Sequence, residues 1–337
     1  MSHFGLPKQK SLNIRCDLVA KSGRRLLSHD LYKIIDDRHD APSTGLLRAG
    51  GRVNMDYVAL MGTKGGPAIR PGSSMPTSNL IGLNGQWIVL DCGLGVTRGL
   101  VDQGVALKDL SLIIISHLHS DHYLELGPLL HTAWTAGLKT PVQIYGPKGI
   151  AAYCTHFMAS VQADIDLRIE DEGRPDLRDL VTTHDLDVGA VVDWNGVQVS
   201  ALRTDHPPLV DCFAISFKTS QTHVVFSGDT APIAALQDFA QGADLLVHEA
   251  MLQSALPALV ARVGNGSDKL MAHLLRSHST AQAAADIATK AGVKRLALSH
   301  LIPSDDPSYG LQDWQQAVAG HWTGPLIVGH DGIRIHL

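Results

Sequence analysis

Short apolar runs rich in β-branched side chains recur along the chain, and each predicts a buried strand. They cover Tyr57–Met61, Leu112–Ile115, His223–Phe226 and Arg295–Leu298. Asn79–Leu83 and Trp87–Leu90 flank Asn84-Gly85 and read as a hairpin, and Asp193–Leu202 with Cys212–Lys218 reads as a strand pair. Helical spacing follows near Tyr123–Leu130, over Gly149–Ser160 and over Thr280–Gly292, the last with Ser279 as its expected N-cap and Gly292 as its stop. Asp164–Asp187 is charge-rich and reads as irregular. Strand and helix alternate in both halves, which predicts an α/β fold. Residues 1–54 stand apart as an N-terminal extension to a catalytic domain over 55–337. Within the extension Leu26, Leu27, Leu31, Tyr32, Ile34 and Ile35 could line one amphipathic helix, and Asp36–Ser43 reads as a turn or linker.

Polar residues gather where the apolar runs stop. Leu112–Ile115 leads into Ser116-His117-Leu118-His119-Ser120-Asp121-His122. Residues two apart on a strand point the same way, so His117 and His119 can reach one metal ion together. Ser120 is expected to cap the following helix, so that Asp121 and His122 face a second ion beside the first. His206 follows the run Val197–Leu202, Asp229 follows His223–Gly228, and His300 follows Arg295–Ser299. The donors then divide into His117, His119 and His206 for one ion and Asp121, His122 and His300 for the other, with Asp229 bridging. Imidazole and carboxylate donors suit two divalent ions; zinc is expected, and manganese, iron or cobalt would also be accepted.

The motif His-x-His-x-Asp-His, a distant His206, Asp229 in Ser-Gly-Asp-Thr and the final Ser299-His300 resemble the metallo-β-lactamase superfamily, from about Met55 to the C-terminus. Leu60-Met61-Gly62-Thr63, Leu90–Gly95, Tyr145-Gly146-Pro147, Val247-His248-Glu249-Ala250 and His278-Ser279-Thr280-Ala281 resemble its ribonuclease Z branch, which includes phosphodiesterases and arylsulfatases. The resemblance implies a four-layer αββα sandwich and a dinuclear metal-dependent hydrolase acting through a metal-bound hydroxide. It implies that Asp121 ligates and also holds the nucleophile, that His278 protonates the leaving group or stabilises the transition state, and that Glu249 orients His278. Leu94 replaces the branch's usual Glu, Ser120 replaces its Gly, and no long Gly- and Lys-rich arm for gripping transfer RNA is found. These departures point to a small ester-like substrate: a phosphodiester, sulfate ester, carboxylic ester or lactone. The alternatives are an RNA-processing endonuclease of the ribonuclease Z kind and a non-hydrolytic redox or binding member of the fold.

Composition narrows this further. The net charge of −5 argues against a nucleic-acid partner, and the small basic clusters Lys8–Lys10 and Lys21–Arg25 lie in the extension. No apolar run is long enough to cross a membrane, and Met1–Arg25 lacks the apolar stretch of a secretory signal, so a cytoplasmic protein is expected. Cys16, Cys92, Cys154 and Cys212 lack metal-type pair spacing and are expected as reduced thiols, Cys92 buried and structural. Met251–Arg276 is expected to cover the metals. Tyr123 and Trp134 are candidate walls, Trp134 with core as its preferred role. The apolar set in the extension is expected to pack on the core or in a homodimer.

Overall fold

Alternate residues of the central strands face opposite layers, and both layers are apolar. In β1 (Tyr57–Gly62) Val58 and Leu60 join the cluster between two sheets, while Ala59 and Met61 join the cluster beneath outer helices. Leu112 and Ile114 divide from Ile113 in the same way. Strands covered on both faces read as continuous apolar runs, which is why the sequence marks them so clearly.

The structure, a computed structural model, describes residues 56–264 and 268–337. The first sheet contains β1, β2 (Ser78–Leu83), β3 (Gln86–Cys92), β4 (Leu112–Ile114), β5 (Val142–Gly146), β6 (Val181–Asp185) and, beyond β1, β14 (Ile333–His336). The second contains β7 (Gly189–Trp194), β8 (Val197–Arg203), β9 (Phe213–Lys218), β10 (His223–Phe226), β11 (Leu245–Met251), β12 (Leu296–Ile302) and β13 (Leu326–Val328), neighbours in that order. Outside the first sheet pack α1 (Val96–Asp102), α3 (Leu126–Thr135) and α4 (Ile150–Ser160); the short α2 (Ser120–Tyr123) lies between α1 and α3 in the chain, and α5 (Gln162–Glu172) and α6 (Leu177–Leu180) follow α4. Outside the second pack α7 (Ala235–Phe239), α10 (Ala281–Ala291) and α11 (Leu311–Val318), while α8 (Leu256–Val263) and α9 (Asp268–Ser277) form a separate apolar cluster. The result is the expected four-layer αββα sandwich.

Several local expectations change. Asp164–Asp187 is ordered as α5, α6 and β6, because its charges pair along an exposed helix face: Asp164 with Arg168 and Arg168 with Glu172, four residues apart. Asp193–Leu202 is not one strand: Asn195 (φ 52°) and Gly196 (φ 83°) turn the chain from β7 into β8, and β8 makes the expected antiparallel pair with β9. The helix near Tyr123–Leu130 is broken at Glu125, whose carboxylate accepts from the backbone of Gly95 and Thr97. Ser120 caps nothing: His119 occupies the N-cap position of α2. Thr280 replaces Ser279 as the cap of α10, its Oγ1 accepting from Ala283 N at 3.1 Å, because the Ser279 hydroxyl is turned inward to Thr230 O at 2.7 Å. Trp134 is wholly buried core, and Tyr123 packs edge-on against Tyr153.

Cys92, Cys154 and Cys212 are free and buried, and burial pushes all three thiols up, Cys154 to about 11. No helix among the described residues is long and apolar enough to cross a membrane. The extension helix, Cys16 and the two basic clusters lie outside the described residues.

Candidate metal centre

The seven expected donors converge where strands of both sheets end. His117 Nε2 and His119 Nδ1 lie 3.2 Å apart, and His119 Nδ1 and His206 Nε2 lie 3.0 Å apart. Asp229 Oδ2 stands 3.6 Å from His117 Nε2 and 3.7 Å from His206 Nε2. In the second group His300 Nε2 is 3.4 Å from Asp121 Oδ2 and 3.2 Å from Asp229 Oδ2. His122 Nε2 is 3.7 Å from Asp121 Oδ2 and 3.5 Å from Asp229 Oδ1. Donors about 2.0–2.1 Å from a tetrahedral ion are about 3.3–3.4 Å from one another, so both groups have the spacing of a metal cage. Asp229 takes part in both.

Protons are placed to leave lone pairs facing inward. His206 Nδ1 donates to the Ser277 carbonyl at 2.7 Å, and His122 Nδ1 donates to Asp91 Oδ2 at 2.8 Å. The Ser116 hydroxyl donates to Asp91 at 2.9 Å and lies 3.1 Å from His117 Nδ1, whose proton it accepts. Each of these rings therefore presents a bare Nε2. The buried His122 Nε2 and His300 Nε2 have no hydrogen-bond partner among the described residues. Such atoms are costly unless a cation satisfies them. The donor set thus fits the metal that its chemistry implies.

Burial drives the His117 ring well below its ordinary pKa and His206 down to about 4, which keeps both neutral and able to ligate. Burial opposes the charge of Asp229, but positive charge at its His300 and His122 neighbours, the sign of charge an ion would also bring, outweighs it and holds the carboxylate ionised. The same balance, through His122 and His300, lowers Asp121.

Local backbone devices aim these groups. His300 lies at a register shift between β11 and β12 and has φ 46°, a left-handed conformation that turns its ring into the site. Gly66 N donates to Asp121 Oδ2 at 2.8 Å, so the glycine loop after β1 orients that carboxylate. A Cβ at Gly65 would stand 2.4 Å from Ile302 and 3.0 Å from the His300 ring, which explains the second glycine.

The remaining expected residues are also at the site. His278 Nδ1 lies 2.8 Å from Glu249 Oε2, and both are buried. Burial opposes charge on His278, but the Glu249 carboxylate outweighs it and raises the ring to about 9. Its ring stacks on His300 with centroids 5.5 Å apart. His248, by contrast, gives its Nδ1 proton to the Glu249 carbonyl at 2.7 Å and is outside every donor group found.

These groups open on a cavity of about 380 Å³. Leu259 and Val263 of α8 and Leu270 and Leu274 of α9 line it, as expected for a cover, and so do Lys64 and Arg70, which pair with Asp305 at 3.5 Å and 2.8 Å. Tyr123 and Trp134 are not among its lining residues.

Sequence reasoning missed Asp91, Ser277 and Gly66. Asp91 carried the one available signal: an acid directly after an apolar strand, the placement shared by the other donors. Ser277 acts through its carbonyl and Gly66 through its N–H, so their side chains announce nothing.

Residues 59–294 match the family described as "Anti-Pycsar protein Apyc1". The chain is 32% identical over 287 residues to a ribonuclease Z of Mycobacterium sp. (strain KMS), covering 84% of this chain and 96% of that protein. Among solved structures it resembles the metallo-β-lactamase fold protein YhfI from Bacillus subtilis, with TM-score 0.59, 20% identity and coverage of 83% and 98% of the two chains. It also resembles the short form of human tRNase Z, with TM-score 0.58, 22% identity and coverage of 83% and 98%. The sandwich, the converging donors and these likenesses agree: the chain belongs to the Apyc1 family and to the ribonuclease Z-like group of the metallo-β-lactamase superfamily, and is a metal-dependent hydrolase.

Proposed function

We propose that the protein hydrolyses phosphodiester bonds, with RNA as the substrate class. The observation that carries this reading is the likeness to ribonuclease Z along nearly the whole of that relative's length, at 32% identity. It reverses the preference for a small ester and against nucleic acid drawn from net charge and the missing arm. Net charge describes the whole surface, whereas a polyanion meets only the site, whose lining includes Lys64 and Arg70, both held by Asp305. A small phosphodiester is the second reading, favoured by the cavity of about 380 Å³ with its apolar wall.

His117, His119, His206 and Asp229 would hold one divalent ion, and Asp121, His122, His300 and Asp229 the other, with zinc the expected metal. Such ions supply Lewis acidity toward phosphoryl oxygen and toward water. The chain's own groups do the rest. Asp91 and the Ser277 carbonyl fix the tautomers of His122 and His206. Asp121, steadied by Gly66 N–H, accepts a hydrogen bond from the attacking water. His278 keeps its Nδ1 proton on Glu249, so its Nε2–H is free to donate to the oxygen that leaves. Leu259, Leu270 and Leu274 line the same cavity and give that proton an apolar wall.

The test is a substrate panel given to the metal-loaded protein. It comprises a precursor transfer RNA with a 3′ trailer, bis(p-nitrophenyl) phosphate, and p-nitrophenyl sulfate and acetate. Cleavage of the first two is expected, with RNA binding that weakens as salt rises. Turnover confined to the sulfate or the acetate would overturn the reading.

A further inference from the structure

α9 presents Leu270, His273, Leu274 and Ser277 on one face, at the spacing of a helical stripe, and the first three line the cavity. His273 is the one imidazole in that otherwise apolar wall. Its ring faces His278 at 5.7 Å, His206 at 5.9 Å and His119 at 6.3 Å between centroids, edge-on in each case. None of the roles assigned above uses it.

Its tautomer follows from Ser277. The Ser277 hydroxyl donates its only proton to the Pro207 carbonyl at 2.7 Å. The same oxygen lies 3.3 Å from His273 Nδ1, so there it accepts, and the ring proton sits on Nδ1. His273 Nε2 then carries a lone pair, on a ring that lines the cavity. One residue therefore orients two rings: the Ser277 carbonyl holds His206, and the Ser277 hydroxyl holds His273. His278 is the complement, since its Nδ1 is spent on Glu249 and its Nε2 carries the proton offered to substrate.

An acceptor beside a donor at the leaving oxygen matches one substrate feature, a hydroxyl adjacent to the ester oxygen. In a 3′-linked ribonucleotide that is the 2′-hydroxyl, the group that separates RNA from DNA. We propose that His273 is a specificity-determining residue that accepts a hydrogen bond from the ribose 2′-hydroxyl next to the scissile phosphate. The inference rests on the phosphodiesterase reading and deepens it: the site selects ribose at the leaving side through a residue of its cover.

The test compares two dinucleoside monophosphates that differ only in the 2′-hydroxyl of the sugar whose 3′-oxygen is esterified. Bis(p-nitrophenyl) phosphate serves as a diester with no hydroxyl. The full-length, metal-loaded protein is expected to favour the ribo substrate in kcat/KM by about tenfold, the worth of one hydrogen bond. His273→Leu, which keeps the stripe apolar, should bring the ratio toward one, and His273→Gln, which restores an acceptor, should recover part of it. Metal content should stay unchanged in both. Wild-type protein that cleaves both dinucleotides without preference overturns this inference alone. So does a His273→Leu protein that loses both substrates equally, or that loses metal, since either marks a supporting role. Failure on all three diesters overturns this inference, and failure on the precursor transfer RNA as well removes the phosphodiesterase reading with it.

Discussion

Asp91 and His300 share one backbone device on opposite sheets. Each is the extra residue at a register shift, Asp91 between β2 and β3 and His300 between β11 and β12, and each has a left-handed φ, 64° and 46°. A bulge frees a side chain from the alternation of its strand and re-aims it. Here both side chains are turned to one ion's position, His300 as a donor and Asp91 as the carboxylate that orients His122. The left-handed conformation is strained for residues other than glycine, so both positions carry strain in the service of the site.

Asp91→Ala should therefore weaken one ion of the pair more than the other. It leaves His122 without the partner that fixes its proton, and such orienting partners are typically worth about 10–100-fold in metal affinity. Metal titration followed by elemental analysis should show one tight ion and one weakened ion, with activity recovering as metal is raised. Two tight ions in the variant would mean that the Asp91–His122 bond does not tune the site.

The Glu249–His278 pair sets a pH dependence. With His278 raised to about 9, its proton is present below that pH and lost as pH rises through it, so activity should fall on the alkaline side near 9. Glu249→Gln removes the carboxylate that holds the proton, and burial then moves the alkaline limb to lower pH. His278→Ala should lower turnover by about 10²–10⁴-fold, the usual worth of a positioned acid, and abolish that limb while metal content stays near normal. Loss of metal and activity in equal measure would make His278 a structural support.

The sequence made the donors legible because each closes an apolar strand, and strands buried on both faces leave long unbroken signals. His117 and His119 lie beyond the end of β4 at Ile114 and Ser120 is not the cap, so strand alternation and capping do not place these donors; the motif itself marked them. What remained hidden acts through the backbone. The Ser277 carbonyl and the Gly66 N–H have no side-chain signature, and the bulges at Asp91 and His300 depend on pairing between distant strands. Asp164–Asp187 was misread because its polarity belongs to a solvent-facing helix stabilised by ion pairs rather than to a loop. The resemblance to a superfamily pointed to the fold and to the candidate donors, and the proposed substrate class rests on the relatives.

Removing metal should destabilise as well as inactivate. Without ions, the bare nitrogens of His117, His119 and His206 lie 3.0–3.2 Å apart with no cation between them, and His122 Nε2 and His300 Nε2 stay unpaired. Chelation is expected to abolish turnover and lower the melting temperature, and zinc to restore both. Two ions per chain are expected at saturation. Full activity with one ion, or with Asp229→Ala, would contradict the shared role given to Asp229.

Residues 1–54 carry Leu26, Leu27, Leu31, Tyr32, Ile34 and Ile35, enough apolar surface to require cover. A homodimer is expected, two-fold pairs being the commonest soluble assembly. Sedimentation of the full chain and of a form lacking residues 1–50 reads this directly. A full chain that is monomeric, with unchanged solubility and activity after the deletion, would remove any packing role for the extension.

Gly93 tests the coupling between fold and site without touching a donor's side chain. A Cβ built there would stand 2.3 Å from the Asp121 carbonyl oxygen, 2.7 Å from the Thr77 carbonyl oxygen and 2.9 Å from the Pro76 carbonyl carbon. All three are backbone atoms, so no rotamer change relieves the contact. The Gly93 N–H also donates to Thr77 O at 3.0 Å, which pins the loop against movement away. Gly93→Ala must therefore displace the start of α2, where Asp121 and His122 reside. Overpacking of this kind costs about 1–3 kcal/mol. The expected result is a folded protein of lower melting temperature with weakened binding of the ion assigned to Asp121, His122 and His300. Metal titration and thermal melts of the same preparation check it. Unchanged metal affinity together with a lowered melting temperature would show that the α2 start yields without disturbing the donors.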